Sequence, residues 1–312
     1  MRLHKIRPQS AMVLFVATLV LAGCTNSKIL IAPLYNRLDD QIRSEFEKLG
    51  DFNEEQTAAF EASVGTFHVW HRQSELPQYA ALLKSIADSI AIPGETRPED
   101  IAQWFHRAET HSQAARECYP ANFLIDQMQT LTDEQITFIE KRFDRERKKN
   151  RERYESRTAE ERVKRRISNI DKWTGRINLK LTAAQRAAIR TSLTRQISLR
   201  EEYYELSDQW KRTLFALARK QDQPGYVTGI RAHITKLWSL LESEHPEQWQ
   251  ANRTLWEETA YKLVQSMNAE QRKGSSRWLN GMADTLRAIS TDKPSFQVGN
   301  DASVGCLVDA SG

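Results

Sequence analysis

The sequence predicts an all-α protein, an elongated bundle of many helices. One arrangement that fits this class has two helical lobes joined by a long basic helix. Three observations support the class: only 12 of 312 residues are glycine, long β-branched runs are absent, and apolar residues recur at intervals of three and four, as on one face of a helix. Roughly 289 residues follow the N-terminal signal described next, which is enough for a substantial core.

Residues 1–23 have the features of a bacterial lipoprotein signal peptide. Three basic residues come first, an apolar run fills residues 11–21, and Leu21-Ala22-Gly23-Cys24 closes it. The run is far shorter than the ~20 residues that span a bilayer. We therefore expect cleavage before Cys24 and lipidation of that cysteine, with residues 24–33 as a tether. The alternative is a signal peptide or short membrane anchor with an incidental cysteine.

Acyl chains on Cys24 predict a membrane partner without a transmembrane helix, since each buried methylene contributes about 0.8 kcal/mol. Thr25 follows the cysteine. By resemblance to the lipoprotein sorting rule, in which aspartate at this position retains the protein in the inner membrane, the periplasmic face of the outer membrane is the expected location. Inner-membrane anchoring is the less favoured alternative.

Periodicity predicts eight helices within a domain over residues 34–289, with 34–170 and 171–289 as candidate lobes. Pro77 is expected to kink or divide the second helix, because proline has no N–H to donate. Residues 290–312 carry no helical stripe and are predicted to form a flexible tail. The predicted helices cover residues 34–49, 54–90, 97–117, 133–170, 183–220, 224–242, 246–266 and 269–288.

Four of these helices begin with a capping box, in which Thr or Asn and a glutamine three residues later satisfy each other's backbone amides. The glutamines are Gln56, Gln135, Gln185 and Gln271. The favoured interpretation is that each box only starts its own helix. The alternative is a duplicated two-lobe arrangement that groups Gln56 with Gln135 and Gln185 with Gln271, whose separations of 79 and 86 residues are similar.

The Leu-Thr-x-x-Gln pattern at Leu131 and Leu181 resembles the periplasmic stress proteins and ATP-independent chaperones of the Spy type. Those are helical cradles that bind unfolded clients on a basic concave face. The resemblance is local and implies a client-binding alternative.

A second resemblance covers residues 21–288. Tyr35-Asn36-Arg37-Leu38-Asp39, Trp70-His71-Arg72 leading to Glu75-Leu76-Pro77, and Trp173-x-Gly175 follow one another in order. Together they resemble a proteobacterial family of outer-membrane-type lipoproteins known only as a domain of unknown function. The resemblance implies an envelope location and a helical fold, and it supplies no catalytic residues.

Charge is unevenly distributed along the chain. The chain has 45 basic and 41 acidic residues, and 42 and 41 remain once the signal is removed. The pI therefore gives no argument for binding nucleic acid, and no nucleic-acid partner is predicted. Residues 141–200 nevertheless hold 20 basic and 7 acidic residues, whereas residues 24–140 hold 9 and 19.

A basic stretch inside the predicted helix 133–170 is the main candidate surface. The first interpretation is a face that is solvated or docked on the acidic N-terminal helices. The second is a surface that binds anionic lipid, an envelope protein or an unfolded client. Its residues are Arg145, Arg147, Lys148, Lys149, Arg151, Arg153, Arg157, Arg162, Lys164, Arg165 and Arg166.

Other candidate sites are weaker. His68, His71 and Glu75 could share a helical face, but no convincing set of metal ligands emerges, and we expect Trp70, His71 and Arg72 to pack against a neighbouring helix. Cys118 and Cys306 are left after lipidation, and they form either a disulfide, a free thiol or an intermolecular bridge.

The sequence predicts no metal and no cofactor. GxSxG, phosphate-loop and CxxC motifs are absent, which disfavours catalysis. The predicted role is therefore a membrane-anchored binding or scaffold lipoprotein. A client-binding chaperone and an envelope enzyme are the alternatives.

Overall fold

The computed structural model describes residues 28–118 and 125–292, and these ranges contain helices and no strand. The predicted all-α class is confirmed. A π-helical segment, His71–Glu75, joins α3 to α4. In chain order the helices are α1 (Lys28–Asn36), α2 (Leu38–Glu47), α3 (Glu54–Trp70), α4 (Leu76–Ala91), α5 (Pro98–Cys118), α6 (Ile125–Met128), α7 (Asp133–Glu155), α8 (Ala159–Arg176), α9 (Ala183–Arg195), α10 (Arg200–Ala218), α11 (Tyr226–Lys236), α12 (Leu240–Glu244), α13 (Pro246–Gln265) and α14 (Ala269–Thr291).

The prediction of one long basic helix over residues 133–170 is wrong, because α7 ends at Glu155 and a separate helix, α8, begins at Ala159. The break is stabilised by a fifth capping box. Thr158 Oγ1 accepts from the Glu161 amide at 3.2 Å, and Glu161 Oε2 accepts from the Thr158 amide at 2.8 Å. A Thr-x-x-Glu signature therefore starts a new helix inside a pattern that otherwise continues.

Other predicted helices are also divided. Residues 183–220 form α9 and α10, and the side chain of Asn252 on α13 brackets the break. Its Oδ1 accepts from the Ile197 amide and its Nδ2 donates to the Ile197 carbonyl, both at 2.9 Å. Residues 34–49 and 224–242 likewise form two helices each, and α1 begins at Lys28, six residues before the predicted start.

Pro77 divides its helix as predicted. It is the second residue of α4, directly after the π-helical segment. Proline cannot donate the hydrogen bond that continuation of an α-helix needs, and the wider π turn accommodates this defect.

The central helices α4 and α14 pack antiparallel. Ser276 Oγ on α14 donates to the Ala87 carbonyl near the end of α4, whereas Arg72, just before α4, reaches the Ile289 carbonyl at the far end of α14. Helices α1 and α2 cover one part of this pair. The cluster they share is formed by Ile31, Tyr35, Leu38, Leu76, Tyr79, Ala80, Met282, Ala283, Leu286 and Ile289.

A second hydrophobic cluster connects distant parts of the chain. Ala87 and Ile90 of α4 pack there with residues of α8, α9 and α14. Both clusters therefore combine residues from either side of position 170, and the two candidate lobes stay a prediction. Within the described ranges, no helix combines the length and apolar character needed to cross a membrane.

Candidate functional site

A cluster of polar side chains lies in the core where the π-helical segment meets α1. Arg72 is 1 % exposed, and its Nη1 donates to the Ile289 carbonyl at 2.9 Å while its Nη2 donates to Asn36 Oδ1. Its Cζ also lies 5.1 Å from the ring centroid of Tyr35. A buried guanidinium thereby joins α1, the π-helical segment and the end of α14.

Two histidines surround this guanidinium. His71 Nδ1 and the Tyr35 hydroxyl are hydrogen-bonded at 3.0 Å, and the ring centroids of His68 and Tyr35 are 4.6 Å apart. Burial, followed by the positive charge of Arg72, lowers the pKa of His68 to about 4. Burial, followed by His68, lowers the pKa of His71 to about 3. Both imidazoles are therefore neutral at physiological pH.

Glu75 forms the other side of the same cluster. Its Oε2 lies 3.2 Å from His111 Nδ1 on α5, and burial raises the pKa of Glu75 to about 7. Burial, followed by Arg107, lowers the pKa of His111. Because burial favours the neutral form of both the carboxyl and the imidazole, the contact is best described as a close approach of two neutral groups, not as an ion pair.

The cluster is a structural core and offers no metal site that the geometry supports. In the part of the chain that the structure describes, no group of three or more His, Cys, Asp or Glu side chains could hold a metal ion. His68 lies on α3, and His71 and Glu75 lie in the π-helical segment. Both histidines contact Tyr35, whereas Glu75 approaches His111 on α5. The expected packing of Trp70, His71 and Arg72 against neighbouring helices is confirmed by their burial.

A second buried arginine mirrors Arg72. Arg272 lies near the start of α14, and its Nη1 donates to the Ile90 carbonyl at 2.9 Å while its Nη2 donates to the Val264 carbonyl at 2.7 Å. It therefore satisfies carbonyls at the ends of α4 and α13, which lack partners within their own helices. Sequence analysis did not identify Arg272, because only the antiparallel packing brings Ile90 beside it.

The glutamines of the four predicted capping boxes contact each other in two pairs, a contact that sequence analysis did not predict. Gln185 Nε2 donates to Gln271 Oε1 at 3.2 Å, and Gln271 Nε2 donates to Gln185 Oε1 at 2.9 Å. Gln56 and Gln135 exchange the same bonds at 3.0 and 2.9 Å. Each glutamine also donates to a carbonyl two residues before its partner's cap. These carbonyls are those of Asp51, Thr130, Lys180 and Ser266.

Each pair thus locks two helix starts together, and we expect the buried pair to be energetically coupled. Gln185→Ala and Gln271→Ala are each expected to lower the free energy of unfolding by about 2 kcal/mol, because the glutamine half of a capping box is lost and the partner amide is left unsatisfied. The double variant should lose less than the sum, with a coupling of about 1 kcal/mol in a denaturation cycle.

The matched control combines Gln185→Ala with Gln56→Ala, since these two glutamines belong to different pairs. Their effects should add to within about 0.5 kcal/mol. A coupling of zero between Gln185 and Gln271 would contradict the interlocked arrangement.

The predicted basic surface is only partly free. Arg147 and Arg151 of α7 contact α10: Arg147 Nε lies 2.8 Å from Asp208 Oδ1, and Arg151 bonds Glu201 at 3.0 Å and Glu155 at 2.7 Å. The docking partner is therefore mainly α10, and the expectation that this face docks on the acidic N-terminal helices is wrong for these two arginines.

The remaining basic residues differ in exposure. Lys148 and Lys149 are exposed and have carboxylates 4.0 and 3.7 Å away on their own helix. Arg162 on α8 donates to the carbonyls of Tyr154 and Arg157 and so stabilises the break between α7 and α8. The remaining residues of the predicted set fall into two groups. Arg153 and Arg157 are half-buried, and the exposed ones are Arg145, Lys164, Arg165 and Arg166.

The predicted cysteine sites fall largely outside the described residues. Cys24 and Cys306 lie outside them, and Cys118 is the last residue of α5 with its side chain also outside the description. Lipidation and the Cys118–Cys306 disulfide therefore stay predictions.

Comparison with known proteins gives one match. The model of a family described as "Family of unknown function (DUF6279)" matches residues 48–244. No curated protein matches the chain, and no solved structure does either. The matched range includes α4, the π-helical segment, the Gln56–Gln135 pair and the basic helices. Since it covers more than half of the sequence, the chain belongs to this family of unknown function. A domain of unknown function was expected, and the outer-membrane lipoprotein type stays a prediction.

Proposed function

We propose that the protein is a lipid-anchored bacterial lipoprotein whose helical body is a binding or scaffold module on the periplasmic face of the outer membrane. The observation that carries the proposal is Leu21-Ala22-Gly23-Cys24 at the end of a short apolar run. The body is consistent with it: α1 begins only four residues after Cys24, a chain length that reaches about 14 Å at most.

Replacing the lipidated cysteine tests the anchor. Cys24→Ser is expected to move the protein out of the membrane fraction, because the thiol that receives the acyl chain is absent. Cells that express each form would be fractionated on a density gradient that separates inner from outer membranes. A Cys118→Ser variant is the matched control and should stay with the outer membrane. Unchanged fractionation of Cys24→Ser would contradict the proposal.

The binding role is tested by photo-crosslinking in cells from exposed positions on the basic helices, such as Lys148 and Arg165. We expect these positions to capture an envelope protein or lipid. Arg190, an exposed arginine on α9 outside the basic helices, serves as the control. Capture of intramolecular products alone would contradict a binding surface here.

A client-binding chaperone is the second candidate, and an exposed apolar side chain beside one Leu-Thr-x-x-Gln helix start favours it. Phe138 of α7 is 47 % exposed and lines a shallow depression of about 380 Å³ together with Asp133, Glu134, Thr137 and Lys141. Apolar surface of this kind suits an unfolded client.

This candidate predicts that an excess of the protein suppresses aggregation of a denatured substrate, measured by light scattering. Phe138→Ser should weaken the suppression several-fold, whereas Phe105→Ser, at an exposed phenylalanine on α5, should leave it unchanged. No suppression at stoichiometric excess excludes the chaperone role.

A further inference from the structure

Two arginines lie over one tyrosine at the junction of α7, α8 and α10, and a third lies one helical turn from the first of them. Arg162 Cζ lies 4.5 Å from the ring centroid of Tyr154, and Arg200 Cζ lies 5.0 Å from the same centroid. Arg166 is one turn after Arg162 on α8, and its Cζ lies 5.7 Å from the ring of Trp256. We call Arg162, Arg166 and Arg200 the arginine triad.

The triad differs from its basic neighbours in charge balance. Arg147 and Arg151, which contact the Tyr204 ring, both have carboxylates within 3.0 Å. Among the described residues, no carboxylate lies within ion-pair distance of a triad guanidinium. Arg162 donates only to backbone carbonyls, and Arg200 makes only ring contacts with Tyr154 and Tyr204.

Like charges in the triad also influence one another. Desolvation, and then the positive charge of Arg200, lowers the pKa of Arg166, while Tyr154 opposes the shift. Mutual repulsion of this kind destabilises the free protein unless an anion neutralises it. Arg166 is exposed and Arg200 is half-buried, so an anion from solution can reach both.

We propose that the arginine triad binds a phosphate group. A guanidinium presents a planar fork of N–H donors that matches two phosphate oxygens, and several such forks recur at phosphate sites. The proposal deepens the proposed function and rests on it for the source, because a lipid anchor would hold the body beside phospholipid headgroups. Of the residues predicted to form the basic surface, the triad contains Arg162 and Arg166. Its third residue, Arg200, was not among them.

The test uses the full chain purified in uncharged detergent micelles, with binding measured by titration calorimetry. The probes are inorganic phosphate, short-chain phosphatidylglycerol, and short-chain phosphatidylcholine, whose phosphate is shielded by a cation. We expect one saturable site for phosphatidylglycerol, for inorganic phosphate, or for both. Tighter binding of phosphatidylglycerol assigns a lipid headgroup, whereas tighter binding of inorganic phosphate assigns a soluble phosphate ligand.

Matched double variants separate a built site from general attraction. Arg166→Gln with Arg200→Gln should weaken binding at least tenfold, because each removes a charge-assisted contact. Lys148→Gln with Lys149→Gln removes the same charge from exposed positions and should change affinity less than threefold. Arg166→Lys with Arg200→Lys keeps the charge without the fork and should give an intermediate loss, which covers the case in which the glutamine variant fails to fold.

Two results would overturn the inference: no saturable binding of phosphate or phosphatidylglycerol, or equal losses in the arginine and lysine double variants. The anchor is measured separately as acyl mass on the same sample. Phosphate binding by a protein without acyl chains would refute the anchor and keep the site, and an acylated protein that binds neither probe would do the opposite.

Discussion

Arg72→Ala is expected to lower the free energy of unfolding by about 2 to 4 kcal/mol. Arg72 is 1 % exposed, and its guanidinium satisfies the Ile289 carbonyl and Asn36 Oδ1. Truncation leaves these acceptors without their donor and creates a cavity where α1, the π-helical segment and α14 meet. Chemical denaturation followed by circular dichroism measures the loss.

Arg277→Ala is the matched control, since Arg277 is exposed on α14. It should change stability by less than about 0.5 kcal/mol. If Arg72→Ala were as mild as this control, Arg72 would not join the three elements in solution.

Acidification from pH 6.5 to pH 4.5 is expected to cost about 3 kcal/mol of stability. The pKa values of His68 and His71 are lowered in the fold to about 4 and about 3. The unfolded chain therefore takes up these protons first, and stability falls as the pH drops below 6.5. Glu75 acts oppositely, because its raised pKa of about 7 means that the folded state already holds a proton.

The net difference across this window is one proton bound more by the unfolded chain, or about 1.4 kcal/mol per pH unit. His111, whose pKa is also lowered, adds to the loss, while Tyr35 and Tyr79 stay neutral. As Glu75 ionises, its contribution to stability is lost and offsets the gain from the histidines, so the maximum is expected near pH 7.

Glu75→Gln removes the opposing titration and provides the control. Its stability should fall about twice as steeply between pH 6.5 and pH 4.5, because two protons then distinguish the unfolded from the folded state. Denaturation curves across pH 4.5 to 8 measure both proteins. Stability that is flat or rising on acidification would contradict a buried neutral His68 and His71.

Local signals in the sequence were sufficient for the fold class and for most helix starts. Each capping box acts within four residues, so Asn53, Thr132, Thr182 and Asn268 begin helices where expected. The hydrogen bonds between the glutamines were not predicted, because the shared motif suggested only a duplication and the separations of 79 and 86 residues are long.

Helix breaks were harder to predict where their cause is distant or weak. The break at Ile197 depends on Asn252, 55 residues away, and no local signal marks it. The break before Ala159 has a local Thr-x-x-Glu signal, but the continuing run of helix formers obscured it. The capping box of Thr158 and Glu161, together with the bonds from Arg162, thus stabilises the division of the basic segment into two helices.

The candidate sites also combine features that are visible in the sequence with features that depend on the fold. The basic residues of α7 and α8 are obvious in the sequence, yet whether each is paired depends on α10, which supplies Asp208 and Glu201. Arg200 has no unusual local context, and only the fold brings it to Tyr154. Burial of His68, His71 and Arg72 likewise follows from the packing of α1 and α14 around the π-helical segment.

The lipid anchor is most directly tested by the mass of the N-terminal peptide of the protein isolated from its native bacterial membrane. The proposal predicts a first residue Cys24 that carries acyl chains, with residues 1–23 removed. An N-terminus at Met1, or a cleaved chain with an unmodified Cys24, would contradict the proposal and would show that the helical body has no lipid anchor.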